Sequence, residues 1–81
     1  MKNVIKKYVE NLCEEDVKNF IKKSNYQIND NEISIIYYYI KNYCDDILDG
    51  KQEVFEKFKK EVSTSTYLEV MRLCDKYKKW L

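Results

Sequence analysis

Proline and histidine are absent from this 81-residue chain, and glycine occurs once, as Gly50. Sheets and irregular loops have little support without those punctuating residues, so long helices are the natural expectation. The missing histidine removes the side chain that most often moves protons near neutral pH. One glycine cannot build the glycine-rich loops that cradle phosphates. Asp45 and Asp46 are adjacent acids, but neighbours on a helix point about 100° apart and share no site. No enzymatic activity is expected.

Disulfides and metals are disfavoured in the same way. Cys13, Cys44 and Cys74 are odd in number, widely spaced and without a CxxC pair, a pattern that reads as three reduced thiols. A zinc site would need all three plus a carboxylate, and Cys44 and Cys74 fall on apolar faces, where buried, metal-free thiols are expected. No cofactor is implied. Fifteen Lys plus Arg against fourteen Asp plus Glu leave a net charge of +1, too little to draw the whole molecule to nucleic acid or an anionic membrane. The N-terminal MKNVIKKYVENL is broken by charge every few residues. It resembles neither an export signal nor the ~18 apolar residues of a membrane span. A cytoplasmic protein with no membrane partner is the simplest reading.

What is present is apolar and aromatic. Apolar residues make up 44% of the chain, charged residues 36%, and there are eight Tyr, three Phe and one Trp, which places it among globular proteins rather than disordered ones. Residues 1–81 suffice for a single domain with a thin core, since a chain this short hides only about 60–65% of its unfolded surface. Val4, Ile5, Tyr8, Val9 and Leu12 predict an amphipathic helix over residues 3–12, with no clear break before the next. CEEDVKNFIKKS predicts a second, with three acids in its first turn, two lysines in its last and Val17, Phe20 and Ile21 on one face. Asn29 followed by Glu32 is close to a capping box and predicts the start of a third. Ile33, Ile36, Tyr37, Ile40, Cys44, Ile47 and Leu48 keep one helical face for more than four turns, and Gly50 stands where a terminating glycine belongs. Val54, Phe55, Phe58 and Val62 mark a fourth helix over 51–62. Thr66 followed by Glu69 marks a capping box for a fifth that reaches the C-terminus. The fold expected is all-α, a compact bundle of four to five short helices.

Within that bundle, ISIIYYYIKNYCDDILDG (33–50) holds four tyrosines and five isoleucines, more apolar area than a half-exposed helix needs. Ile35, Tyr38 and Tyr39 fall on the back of the predicted core face, at 100° or more from its centre. Either this helix is central, wrapped by the other four, or these residues are the candidate surface for an unidentified protein partner or a second copy of the chain, in a small protein-interaction or adaptor module. The alternative is a nucleic-acid-binding accessory protein. Its candidate residues are Lys76, Tyr77, Lys78, Lys79 and Trp80 in the terminal KYKKWL, where rings could stack on bases while lysines meet phosphates.

EEDVKNFIKKSN, IIYYYIKN and the TY…LCDKYKKWL ending together resemble a family of short helical proteins from low-GC Gram-positive bacteria, a domain of unknown function. The resemblance covers about residues 12–81. It implies a compact cytoplasmic helical protein and carries over no activity, cofactor or catalytic residue.

Overall fold

In the computed structural model, backbone is described for residues 2–78 and side chains for residues 3–76. Six helices follow in order: α1 (Lys2–Glu10), α2 (Glu14–Lys23), α3 (Asp30–Asn42), α4 (Cys44–Leu48), α5 (Gln52–Glu61) and α6 (Thr64–Lys78), with no strand among the described residues. The fold is an all-α bundle. None of these helices is long and apolar enough to cross a membrane. The Cα radius of gyration is 11.9 Å, close to the ~12 Å of a compact chain of this length.

The central element is α3. Its Ile33, Ile36 and Tyr39 join Val17 and Ile21 of α2 and Val54 and Phe58 of α5 in one buried cluster, with Leu12, Ile47, Val62, Tyr67 and Val70 packed around it. Phe20, expected on the core face of α2, is 38% exposed. Helix ends follow local chemistry. Asn25 takes a left-handed φ of 58° just past α2, a conformation asparagine tolerates better than most residues. Gly50 has φ 72°, and the amides of Gly50 and Lys51 donate to the carbonyls of Ile47 and Asp46, closing α4 with a Schellman motif as the lone glycine predicted.

Two boundaries differ from expectation. The predicted third helix is two helices, because the backbone departs from helical geometry at Tyr43 (φ −125°, ψ 26°). Neither Pro nor Gly marks the bend. It lets α3 lie on α2 while α4 turns to meet α1 and α5. The capping box expected at Thr66–Glu69 does not open α6 either. Ser63 does, its Oγ accepting the Thr66 amide at 3.3 Å, while Glu69 pairs with Arg72 at 2.6 Å.

Glu32 does not reach back to the backbone of Asn29 as a capping-box glutamate would. Its carboxylate is buried and crosses to α6, accepting from the Ser63 amide (2.5 Å), the Ser63 hydroxyl (3.0 Å) and the Thr66 hydroxyl (2.6 Å); only the Asn29 side-chain amide (3.0 Å) is local. A capping box is thereby completed between two helices: Ser63 caps α6 from within, and the glutamate that returns to its amide comes from α3. The Thr66 hydroxyl, ahead of burial acting in the opposite sense, holds the Glu32 carboxyl below the ordinary glutamate value.

A carboxyl lowered in the folded state contributes stability above the unfolded pKa and loses it as pH falls through the folded value. Glu32→Gln should therefore destabilise the fold at pH 7 by about 1–3 kcal/mol, the usual penalty for disrupting a buried charged hydrogen-bond acceptor. The gap from the wild type should close as pH falls below the glutamate reference of 4.5. Urea titrations of both proteins across that range test this, and a gap independent of pH would contradict it.

Candidate interaction surface

The three residues of the candidate surface part company in the folded chain. Tyr38 is 53% exposed, Ile35 is half-buried against the edge of the core, and Tyr39 is 4% exposed. Tyr39 is thus a core residue and not part of an outer surface. Its ring packs on Phe58 (centroids 5.1 Å apart) and Tyr43 (5.2 Å), and its hydroxyl donates to the Glu61 carboxylate. Burial, then that bond to an anion, pushes the Tyr39 phenol well above the usual tyrosine range.

The cause of the misplacement is geometric. The expected core face counted Tyr37 and left out Glu32, which set its centre about 50° to the Tyr37 side of Ile36. The true face of α3 centres on Ile36, with Glu32 about 40° and Tyr39 about 60° to one side and Ile40 and Ile33 about 40° and 60° to the other. The overlooked member is Glu32, and it had a signal: it is the one charged residue between Asn31 and Ile40 and shares a face with Ile36 and Tyr39.

With Glu32 turned inward, the outer side of α3 presents Asn31, Ser34, Ile35, Tyr38 and Asn42. That strip carries no charge in a chain that is 36% charged. The Asn42 amide donates to the Tyr38 carbonyl at 2.8 Å. The Tyr38 ring stands edge-on to Tyr39 (5.8 Å, 77°) and to Tyr43 (6.2 Å, 67°). Beyond it the Lys57 ammonium donates to the Tyr43 hydroxyl at 3.2 Å and lies 5.4 Å from that ring's centroid; this hydrogen bond raises the lysine pKa. An aromatic side chain braced on two other rings loses little rotamer freedom when a partner covers it.

Other candidates offer less chemistry. Cys13 is exposed, and Cys44 and Cys74 are half-buried rather than buried. Burial pushes the Cys44 thiol up, with Asp45 adding to it and Lys6 opposing, the reverse of what an activated nucleophile needs. Among the described residues no group of three His, Cys, Asp or Glu side chains could hold a metal ion. Of the basic-aromatic ending, Lys76 is exposed, whereas the side chains of Tyr77 and Lys78, and all of Lys79 and Trp80, lie outside the described residues. Comparison of the chain with protein-family models, curated proteins and solved structures finds no match.

The two adjacent tyrosines should behave oppositely. Tyr39→Ala should cost about 3–5 kcal/mol, as for other large aromatic truncations in cores, and Tyr38→Ser no more than about 0.5 kcal/mol, both by urea denaturation. In a spectrophotometric titration of folded protein, one phenol should stay protonated beyond the ordinary tyrosine value of about 10, and Tyr39→Phe should remove that late step.

Proposed function

We propose that this chain is a cytoplasmic protein-interaction module, without catalytic activity, that docks a partner protein through the outer strip of α3. The observation that carries the reading is the charge-free surface centred on the braced, half-exposed Tyr38. A strip free of charge can be covered without desolvating an ion, which is the main obstacle to burying most of a protein's surface. Tyrosine is enriched at such contacts because it buries a ring and keeps a polar tip for a hydrogen bond. The partner that suits it presents an equally uncharged apolar or aromatic face. Three cysteines with no disulfide among them suit a reducing compartment, and the shifts of Glu32, Tyr39 and Cys44 each have a packing or hydrogen-bonding cause that requires no reaction.

Affinity capture from the native host, followed by titration of the recovered partner against purified protein, tests the proposal. Tyr38→Lys places a charge in the middle of the strip and should weaken binding at least about tenfold, with little salt dependence in the wild type and no loss of thermal stability. Retention of full affinity by Tyr38→Lys would refute the assignment of this surface. Steeply salt-dependent binding of single-stranded nucleic acid, abolished by neutralising Lys76, Lys78 and Lys79, would move the function to the C-terminus.

A further inference from the structure

Helix α1 is attached differently from the rest. None of its described side chains is buried: Ile5 and Val9 are half-buried, while Val4 and Tyr8 are 70% and 66% exposed. Ile5 and Val9, one turn apart, face Ile40, Cys44, Ile47 and Leu48 across an apolar cleft of about 140 Å³. Polar contacts complete the attachment. The Lys41 ammonium donates to the carbonyls of Val9 and Glu10, both at 2.9 Å, the Tyr37 hydroxyl donates to the Leu12 carbonyl at 3.2 Å, and Lys6 pairs with Asp45 at 3.1 Å. Any helix seated here must bring two branched aliphatic residues at i and i+4 and a lysine beside the first; α1 of the same chain adds open carbonyls at its C-terminal end.

The break that folds α1 back is weakly encoded. Residues 8–16, YVENLCEED, contain neither Gly nor Pro. The N-cap of α2 is Cys13, in extended conformation (φ −113°, ψ 166°), and cysteine is not among the residues that favour that position. Its amide and thiol both donate to the exposed Asp16 carboxylate, which holds the turn from outside the core. Were the turn to straighten, residues 2–23 would form one helix about 33 Å long, longer than the 30 Å maximum extent of the whole domain, and α1 would leave its own cleft.

We propose that the cleft of Ile40, Cys44, Ile47 and Leu48 also receives α1 of a second copy, giving a symmetric dimer in which the two chains exchange their first helices. Each chain then regains the apolar contacts of Ile5 and Val9 and the Lys6–Asp45 pair, while the carbonyls of Val9, Glu10 and Leu12, bonded within the straightened helix, no longer serve Lys41 and Tyr37; the exchange is limited by that loss, by translational freedom and by the hinge. This surface is separate from the outer strip of α3.

Carbodiimide coupling of Lys6 to Asp45 in a co-refolded 1:1 mixture of unlabelled and ¹⁵N-labelled full-length protein tests the exchange, read by mass spectrometry beside sedimentation. Dimers formed at high concentration should carry Lys6–Asp45 links between unlike isotopes. Glu14→Pro should reduce that dimer at least about a hundredfold, because proline is tolerated at the first position of α2, after the extended Cys13, but breaks a continuous helix; Glu14→Ala should not. Insertion of Gly-Ser-Gly between Asn11 and Leu12 should likewise restore the monomer. Links confined to single chains at every concentration, or a dimer indifferent to both hinge variants, would overturn the proposal. A dimer with only intrachain links that is lost in Tyr38→Lys would overturn it too, while supporting docking through α3.

Discussion

A buried carboxylate needs its hydrogen bonds satisfied, and in this chain that requirement joins the middle of the sequence to its end. Glu32 sits in the first turn of α3 and accepts from the Ser63 amide and from the hydroxyls of Ser63 and Thr66 at the start of α6. Sliding either helix by one residue would leave an anion in a low-dielectric interior without donors, a cost of several kcal/mol. Thr66, fully buried at 0% exposure, is fixed by the same bonds. The register of α6 is therefore decided by a contact from α3 and not by packing alone. A second carboxylate works in the opposite direction: Glu61 at the end of α5 accepts the hydroxyl of Tyr39 on α3. The two bonds close α3, α5 and α6 around Phe58, which the Tyr39 and Tyr67 rings both approach.

The surface of α3 follows from that interior. Once Glu32 and Tyr39 point inward, what remains outside is neutral, and Tyr38 is left between two rings with its face in water. Tyr38 and Tyr39 are chemically identical neighbours with opposite roles, separated by about 100° of helix rotation. The uncharged outer strip is the by-product of a core that has drawn in Glu32.

Stability is also unevenly spread. The buried cluster belongs to α2, α3 and α5, whereas none of the described side chains of α1 is buried and α4 is a five-residue helix. Elements with few buried apolar contacts open at lower free energy than the global fold. Lys41, Lys6 and Tyr37 hold the α1 segment by polar bonds that water can replace, beside the partial burial of Ile5, Val9 and Leu12, so its detachment should cost less than unfolding of the core.

The helical class, the amphipathic faces of α2 and α5, and the glycine stop at Gly50 were all legible in the sequence. They depend on interactions within a few residues: propensity, periodicity, charge near helix ends and one residue able to take positive φ. The candidate surface was legible in part. Tyr38 and Ile35 lie at the outer edge as their wheel positions suggested, but Tyr39 does not. Its place depends on where the face of α3 is centred, and that centre depends on Ser63 and Thr66, some thirty residues from Glu32, which turn a glutamate into an interior residue. A capping motif names the donor and acceptor types but not the helix that supplies them. Only the tertiary structure decided that Glu32 caps α6, because a buried carboxylate goes wherever the chain gathers the most donors.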